Sequence, residues 1–271
     1  VGANHATEQV GIFAPGRCRL ALDVETPTVE RLESQVTALR TTAARAVSAQ
    51  EKWIALKPSE RASVLRRAGQ IIQENHDELA GWVIRETGGI PAKTGLEVGN
   101  TAAECFEAAA LPSHPHGQWL PSDGAHWSFS RRRPCGVVTV IAPFNFPLLL
   151  AMRSVAPALA TGNTVVLKPS DTTPKSTLVL ARISKGILPD GVFNVVLGTG
   201  ATGAELVDHP ALGLVSITGS VRAGVAVASA AAQQLKRSHL ELGGKAPAVV
   251  FGDVDITKAA TGIAQAAFFN A

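Results

Sequence analysis

From Gly136 onward the chain repeats one pattern: a short apolar run, a turn, a helical stretch, then another apolar run. The runs cover residues 137–142, 164–167, 192–197, 214–218 and 239–242. Helical stretches near 148–160, 177–187, 204–208 and 221–236 separate them. Five β-like runs joined by helical crossovers specify a parallel sheet covered on both faces. The pattern therefore predicts an α/β chain with a Rossmann-like, doubly wound parallel sheet of about five strands. Ligands of such sheets sit at the carboxyl ends of the strands, and the distinctive residues of this sequence cluster there.

The stretch before the sheet has a different texture. Val29, Leu32, Val36, Leu39 and Ala43 recur at helical spacing, and Pro58-Ser59 opens a second amphipathic stretch through Val64, Leu65, Ala68, Ile71 and Ile72. Gly88-Gly89-Ile90-Pro91 breaks it, and a third helix is expected over 98–109. Between this helical part and the sheet lies Gln118 to Phe129, with Asp123-Gly124 between two runs bearing aromatics, which is a hairpin signal. A hairpin there either folds onto its own domain or contacts another subunit. The expected organisation is a helical part over 1–115, a hairpin over 116–134, an α/β core over 135–243 and the start of a further domain over 244–271.

Composition narrows the class. A net charge of +3 over 271 residues gives no reason to expect nucleic acid or an acidic membrane as a partner. The run 146–160 is apolar, but Arg153 and two prolines interrupt it, and it is too short to span a bilayer. Three cysteines, Cys18, Cys105 and Cys135, without metal or redox spacing point to a reducing compartment. With no signal-peptide pattern at the N-terminus, the expected location is the cytoplasm. No metal site is expected.

The motifs at the strand ends each admit a plain reading and a chemical one. Gly198-x-Gly200-x-x-Gly203 follows a strand and opens a helix, but the acidic partner expected about 20 residues later is absent. It reads as a glycine-rich turn beside a cofactor rather than as the phosphate cradle. Gly219-Ser220 is a strand-to-helix junction suited to an anion, or simply a helix cap. Lys168-Pro169-Ser170-Asp171 can hold ribose hydroxyls, or form a surface turn. In Pro143-Phe144-Asn145-Phe146-Pro147 two prolines flank an amide able to donate to a developing oxyanion; the alternative is a rigid corner. Glu241, between Leu240 and Leu242, reads as a general base whose apolar setting disfavours its charge, or as a partner of Lys245.

Taken in order, and with Phe268-Phe269-Asn270, these motifs resemble the aldehyde dehydrogenase superfamily from about Thr28 onward. The resemblance implies roles. Asn145 is the oxyanion amide and Glu241 the general base that activates water. Lys168 and Asp171 hold the adenosine ribose, Gly219 and Ser220 meet the pyrophosphate, and Gly200 lies near the adenine. Leu242 lies near the nicotinamide, and Ile141 is a further cofactor-binding residue. The hairpin corresponds to the family's bridging extension, implying a homodimer or homotetramer. The implied cofactor is NAD. Asp171 stands where glutamate is usual, and a carboxylate there repels a 2′-phosphate, so NADP is less expected. The stretches 85–91 and 112–117 look most like the branch acting on aromatic aldehydes.

The implied chemistry is oxidation of an aldehyde to the carboxylic acid through a cysteine thioester. The family continues Phe-Phe-Asn-x-Gly-Gln-x-Cys, whereas this sequence stops at Ala271. The expectation is a chain that does not oxidise aldehydes alone, with a non-catalytic NAD-binding or oligomer-interacting module as the alternative.

Overall fold

The computed structural model describes residues 29–270, with side chains from Thr37 onward. The helical part comprises α1 (Val29–Ala55), α2 (Pro58–Glu74), α3 (His76–Thr87) and α4 (Pro91–Ala108). Two boundaries differ from the sequence expectation. The second stretch divides at Asn75, whose side-chain amide donates to the Ile71 carbonyl (2.8 Å) and closes α2. The helix expected from residue 98 begins at Pro91, where a proline at the first position forfeits no helical hydrogen bond. Gly88 ends α3 in the left-handed region (φ 69°), which a side chain would disfavour.

The hairpin pairs β1 (Gly117–Leu120) with β2 (Ser128–Arg131). Asp123-Gly124 lies within a longer connection, not in a two-residue turn. Trp119 meets Trp127 and Phe129 edge-on, with ring centres 5.0 and 6.2 Å apart. This cluster faces solvent: Trp119, Trp127 and Phe129 are 70%, 82% and 68% exposed. The hairpin therefore does not fold its apolar face onto its own domain.

The sheet contains β3 (Val137–Ile141), β4 (Thr164–Lys168), β5 (Phe193–Val195), β6 (Leu212–Gly219) and β7 (Arg237–Leu242). All are parallel, in the order β5-β4-β3-β6-β7. The crossovers are α5 (Leu149–Ala160), α6 (Pro174–Ile183), α7 (Gly200–Asp208) and α8 (Val221–Gln233). The order reverses between β3 and β6, which opens a crevice at their carboxyl ends.

Alternation along the strands serves both faces. Val138, Val140, Val165 and Leu167 point into a core shared with α2, α4, α5 and α6. Val137 and Val166 point the other way, toward Leu39, Ala43 and Ala46 of α1 and Leu206 of α7. Helix α5 is held at both ends by side chains distant in sequence. Glu97 accepts from the amides of Leu148 (2.8 Å) and Leu149 (3.4 Å). At its other end Trp53 Nε1 donates to the Leu159 carbonyl (2.9 Å) and Arg61 to that of Ala160 (3.4 Å). An anion at the start and a cation at the end match the helix dipole.

Beyond β7, α9 (Ile256–Phe268) has no buried residue, and Val249, Phe251, Ile256 and Phe268 are each more than 70% exposed. Residues 248–251, apolar enough to read as a strand, form none, because no neighbouring strand lies beside them to share hydrogen bonds. Among the described residues no helix is long and apolar enough to cross a membrane.

Candidate active and cofactor site

Strand register assembles the site. Ile141 at the end of β3 stands between Lys168 of β4 and Ile217 of β6. One residue further on, Thr218 pairs with Glu241 of β7, and Gly219 pairs with Leu242. At about 4.8 Å between strands, the row from Lys168 to Leu242 spans roughly 15 Å. Asn145 follows β3 by four residues, half-buried in the turn that leads into α5.

Lys168 is 5% exposed, and its ammonium donates to the Pro169 carbonyl (2.9 Å). Burial pushes its pKa below the usual lysine value, opposed by the nearby Asp171 carboxylate. One of its three donors is used, and two remain for a ligand. A Cβ at Gly203 would touch the Lys168 stem (3.6 Å) and Ile141 (3.8 Å). Gly203, rather than Gly200, is thus the glycine of its run that lies against this part of the site. Gly200 is the first residue of α7.

Ser220 is the N-cap of α8, and its hydroxyl accepts from the Ala223 amide (3.2 Å). Ser220 thus caps the helix, as one of its two readings expects. The N–H groups of Val221 and Arg222 have no partner within the helix, which leaves two donors at the positive end of its dipole. Leu242 packs against α8, where a Cβ at position 224 would run into its side chain.

Glu241 departs from the expected environment. Its side chain is 65% exposed rather than set in apolar surroundings, because β7 is an edge strand. Its ionic neighbour is His239, Nε2 to Oε1 3.5 Å, and not Lys245. His239 lies two residues earlier on the same face. Its Nδ1 shares a hydrogen bond with Ser216 (2.9 Å), which in turn meets Ser154 of α5 (2.8 Å). Sequence reasoning missed this line of polar groups; alternation along β7, pairing residue 239 with 241 on one face, is the signal that was available.

The described cysteines lie away from this crevice. Cys105 is buried in α4, and desolvation, with Glu104 adding to it, pushes its thiol up to about 12. Cys135 precedes β3, at the opposite end of the sheet. Cys18 lies outside the described residues. No cluster of metal-ligating side chains occurs among the described residues.

A parallel sheet with a lysine, a capped helix start, an amide turn and an edge carboxylate at its carboxyl ends is a combination that can be compared with known proteins. The sequence matches the Aldehyde dehydrogenase family over residues 25–271. The chain belongs to the aldehyde dehydrogenase family. It is 49% identical over 234 residues to a vanillin dehydrogenase of Amycolatopsis sp., a match covering 86% of this chain and 48% of that protein. A NAD-dependent benzaldehyde dehydrogenase from Corynebacterium glutamicum superposes with a TM-score of 0.82 at 38% identity, covering 86% of this chain and 52% of that one. An NADP-dependent enzyme of E. coli superposes with a TM-score of 0.84 at 36% identity, covering 87% and 50%. The chain thus spans about half the length of the curated relatives it matches.

Proposed function

We propose that this chain is the NAD-binding part of a dehydrogenase that oxidises aromatic aldehydes to carboxylic acids, acting in the cytoplasm. The observation that carries the reading is the row of Lys168, Ile141, Gly219 and Leu242 along the carboxyl ends of four adjacent strands. The donor set suits a dinucleotide. Lys168, with Asp171, holds the adenosine ribose, Gly200 borders the adenine, and Ile141 lines the floor. The start of α8 at Gly219 and Ser220 receives the pyrophosphate, and Leu242 flanks the nicotinamide. When bound, the cofactor supplies a hydride acceptor. The chain's own chemical groups are Asn145, whose amide donates to a carbonyl oxygen gaining charge, and Glu241, which takes a proton from water. The carboxylate of Asp171 favours NAD over NADP, and the resemblance to vanillin and benzaldehyde dehydrogenases supports an aromatic substrate.

Neither described cysteine is placed to attack a substrate, so the chain by itself is expected to bind cofactor without turnover. Calorimetry should show NAD binding more tightly than NADP, and NAD with vanillin should give no NADH absorbance above background. Absence of NAD binding at millimolar concentration would sink the cofactor reading. Turnover would sink the claim that a further nucleophile is required.

A contact role for the hairpin is favoured by its exposed Trp119, Trp127 and Phe129, which form a contiguous apolar cluster of a kind rarely left bare. We assign it to association with a like subunit, as in a homodimer or homotetramer. The chain should sediment as more than a monomer, and W119S/W127S should shift it toward monomer. Equal sedimentation of both proteins would remove this reading. The helical part (1–115), hairpin (116–134), cofactor core (135–243) and start of a second domain (244–271) then divide the labour.

A further inference from the structure

The two helices that leave β3 and β4 at the site have no capping side chain of their own. Leu148 precedes α5 and offers no acceptor, and the Thr173 hydroxyl does not cap α6. Both starts are capped instead from the helical part of the chain. Glu97 serves α5, as described above. Glu86, on the last turn of α3, accepts from the amide of Lys175 with one carboxylate oxygen and from that of Ser176 (2.8 Å) with the other. A charged, two-pronged acceptor at a helix start satisfies two orphan donors and lies at the favourable end of the dipole.

We propose that Glu86 is a positioning residue for the cofactor. This rests on the reading that Lys168 and Asp171 hold the ribose. Only five residues, 169–173, separate Lys168 from α6, and they form a tight turn. The Thr173 amide donates to the Ser170 carbonyl (3.3 Å), and the Ser170 hydroxyl meets that of Thr172 (2.9 Å). With Lys168 fixed by the sheet and the start of α6 fixed by Glu86, the position of Asp171 is set from both sides. Loss of the carboxylate frees one anchor, and the turn moves with the first turn of α6. Glu86 touches neither cofactor nor substrate in this role.

A second link between the same two helices supplies the control. Arg182, in the last turn of α6, pairs with Glu78 of α3 (2.5 Å) on the exposed surface. Glu78→Gln loosens the contact between the helices without touching the start of α6. The test is calorimetry of the chain with NAD and with AMP, which carries only the adenosine half. Glu86→Gln is expected to weaken both ligands by the same factor, about tenfold. Glu86→Asp should fall between, and Glu78→Gln should bind as the unsubstituted chain does. Hydrogen exchange of amides 170–176 should quicken in Glu86→Gln while amides 146–152 keep their protection. Unchanged AMP affinity in Glu86→Gln, or equal losses in the Glu78 and Glu86 variants, overturns the proposal. Failure of the unsubstituted chain to bind AMP overturns the ribose reading itself, and this inference with it.

Discussion

Truncating Glu97 to alanine is expected to destabilise the chain by about 3–5 kcal/mol, among the largest losses any single substitution here should give. Its carboxylate and the Lys93 ammonium, 2.7 Å apart, are 0% and 1% exposed. The ammonium also lies 4.2 Å from the centre of the Phe146 ring. Removing the acid strands a buried cation and, in the same stroke, leaves the Leu148 and Leu149 amides without their acceptor. Replacing both charges, as Lys93→Met with Glu97→Leu, should recover part of the loss, because a buried pair gains little net stability over apolar packing. Recovery should stop short by about 1–3 kcal/mol, the cost of the orphaned amides. Urea unfolding of the three proteins checks this. A Glu97→Ala loss under 1 kcal/mol would mean the pair is not buried in solution. Phe146 and Leu148 directly follow Asn145 in the turn that leads into α5, so the network that stabilises the fold also anchors the stretch carrying the amide proposed to face the substrate.

This network shows where the sequence was legible and where it was not. The sheet could be read because each strand is a short apolar run between helical stretches, and the strand ends could be read because their residues are chemically distinctive. Lys93 and Glu97 carry no such mark. Four residues apart on a helix, they look like an ordinary solvent-facing pair, and only the packing of α4 between α2 and α5 buries them. Glu86 was hidden for the same reason, since its partners lie 89 and 90 residues further on. Local rules fix caps such as Ser220 but cannot reveal a cap supplied from another element. Glu241 failed in the opposite direction. Its flanking leucines suggested burial, yet at an edge strand the alternation that half-buries Leu240 and Leu242 turns Glu241 outward.

Lys168→Met should separate stability from function. The lysine head group is buried against a single carbonyl, and its lowered pKa records that burial disfavours the charge. Methionine fills a similar volume without that penalty, so the variant is expected to unfold no more easily and to gain about 1 kcal/mol. Cofactor affinity should move the other way, by about 10- to 100-fold, because the hydrogen bonds proposed from this charged donor to the ribose are lost. The sign of the pH dependence follows from the same shift. Between the lowered folded value and the usual 10.5, the unfolded chain holds the proton that the folded chain has released. Stability therefore rises with pH through that window, while NAD affinity falls as the donor loses its charge. Neither trend should survive in Lys168→Met. Thermal unfolding and NAD calorimetry between pH 7 and about pH 10.5 give both curves. If the variant is less stable and binds NAD as well as before, the lysine serves the fold, and the ribose role assigned to it fails.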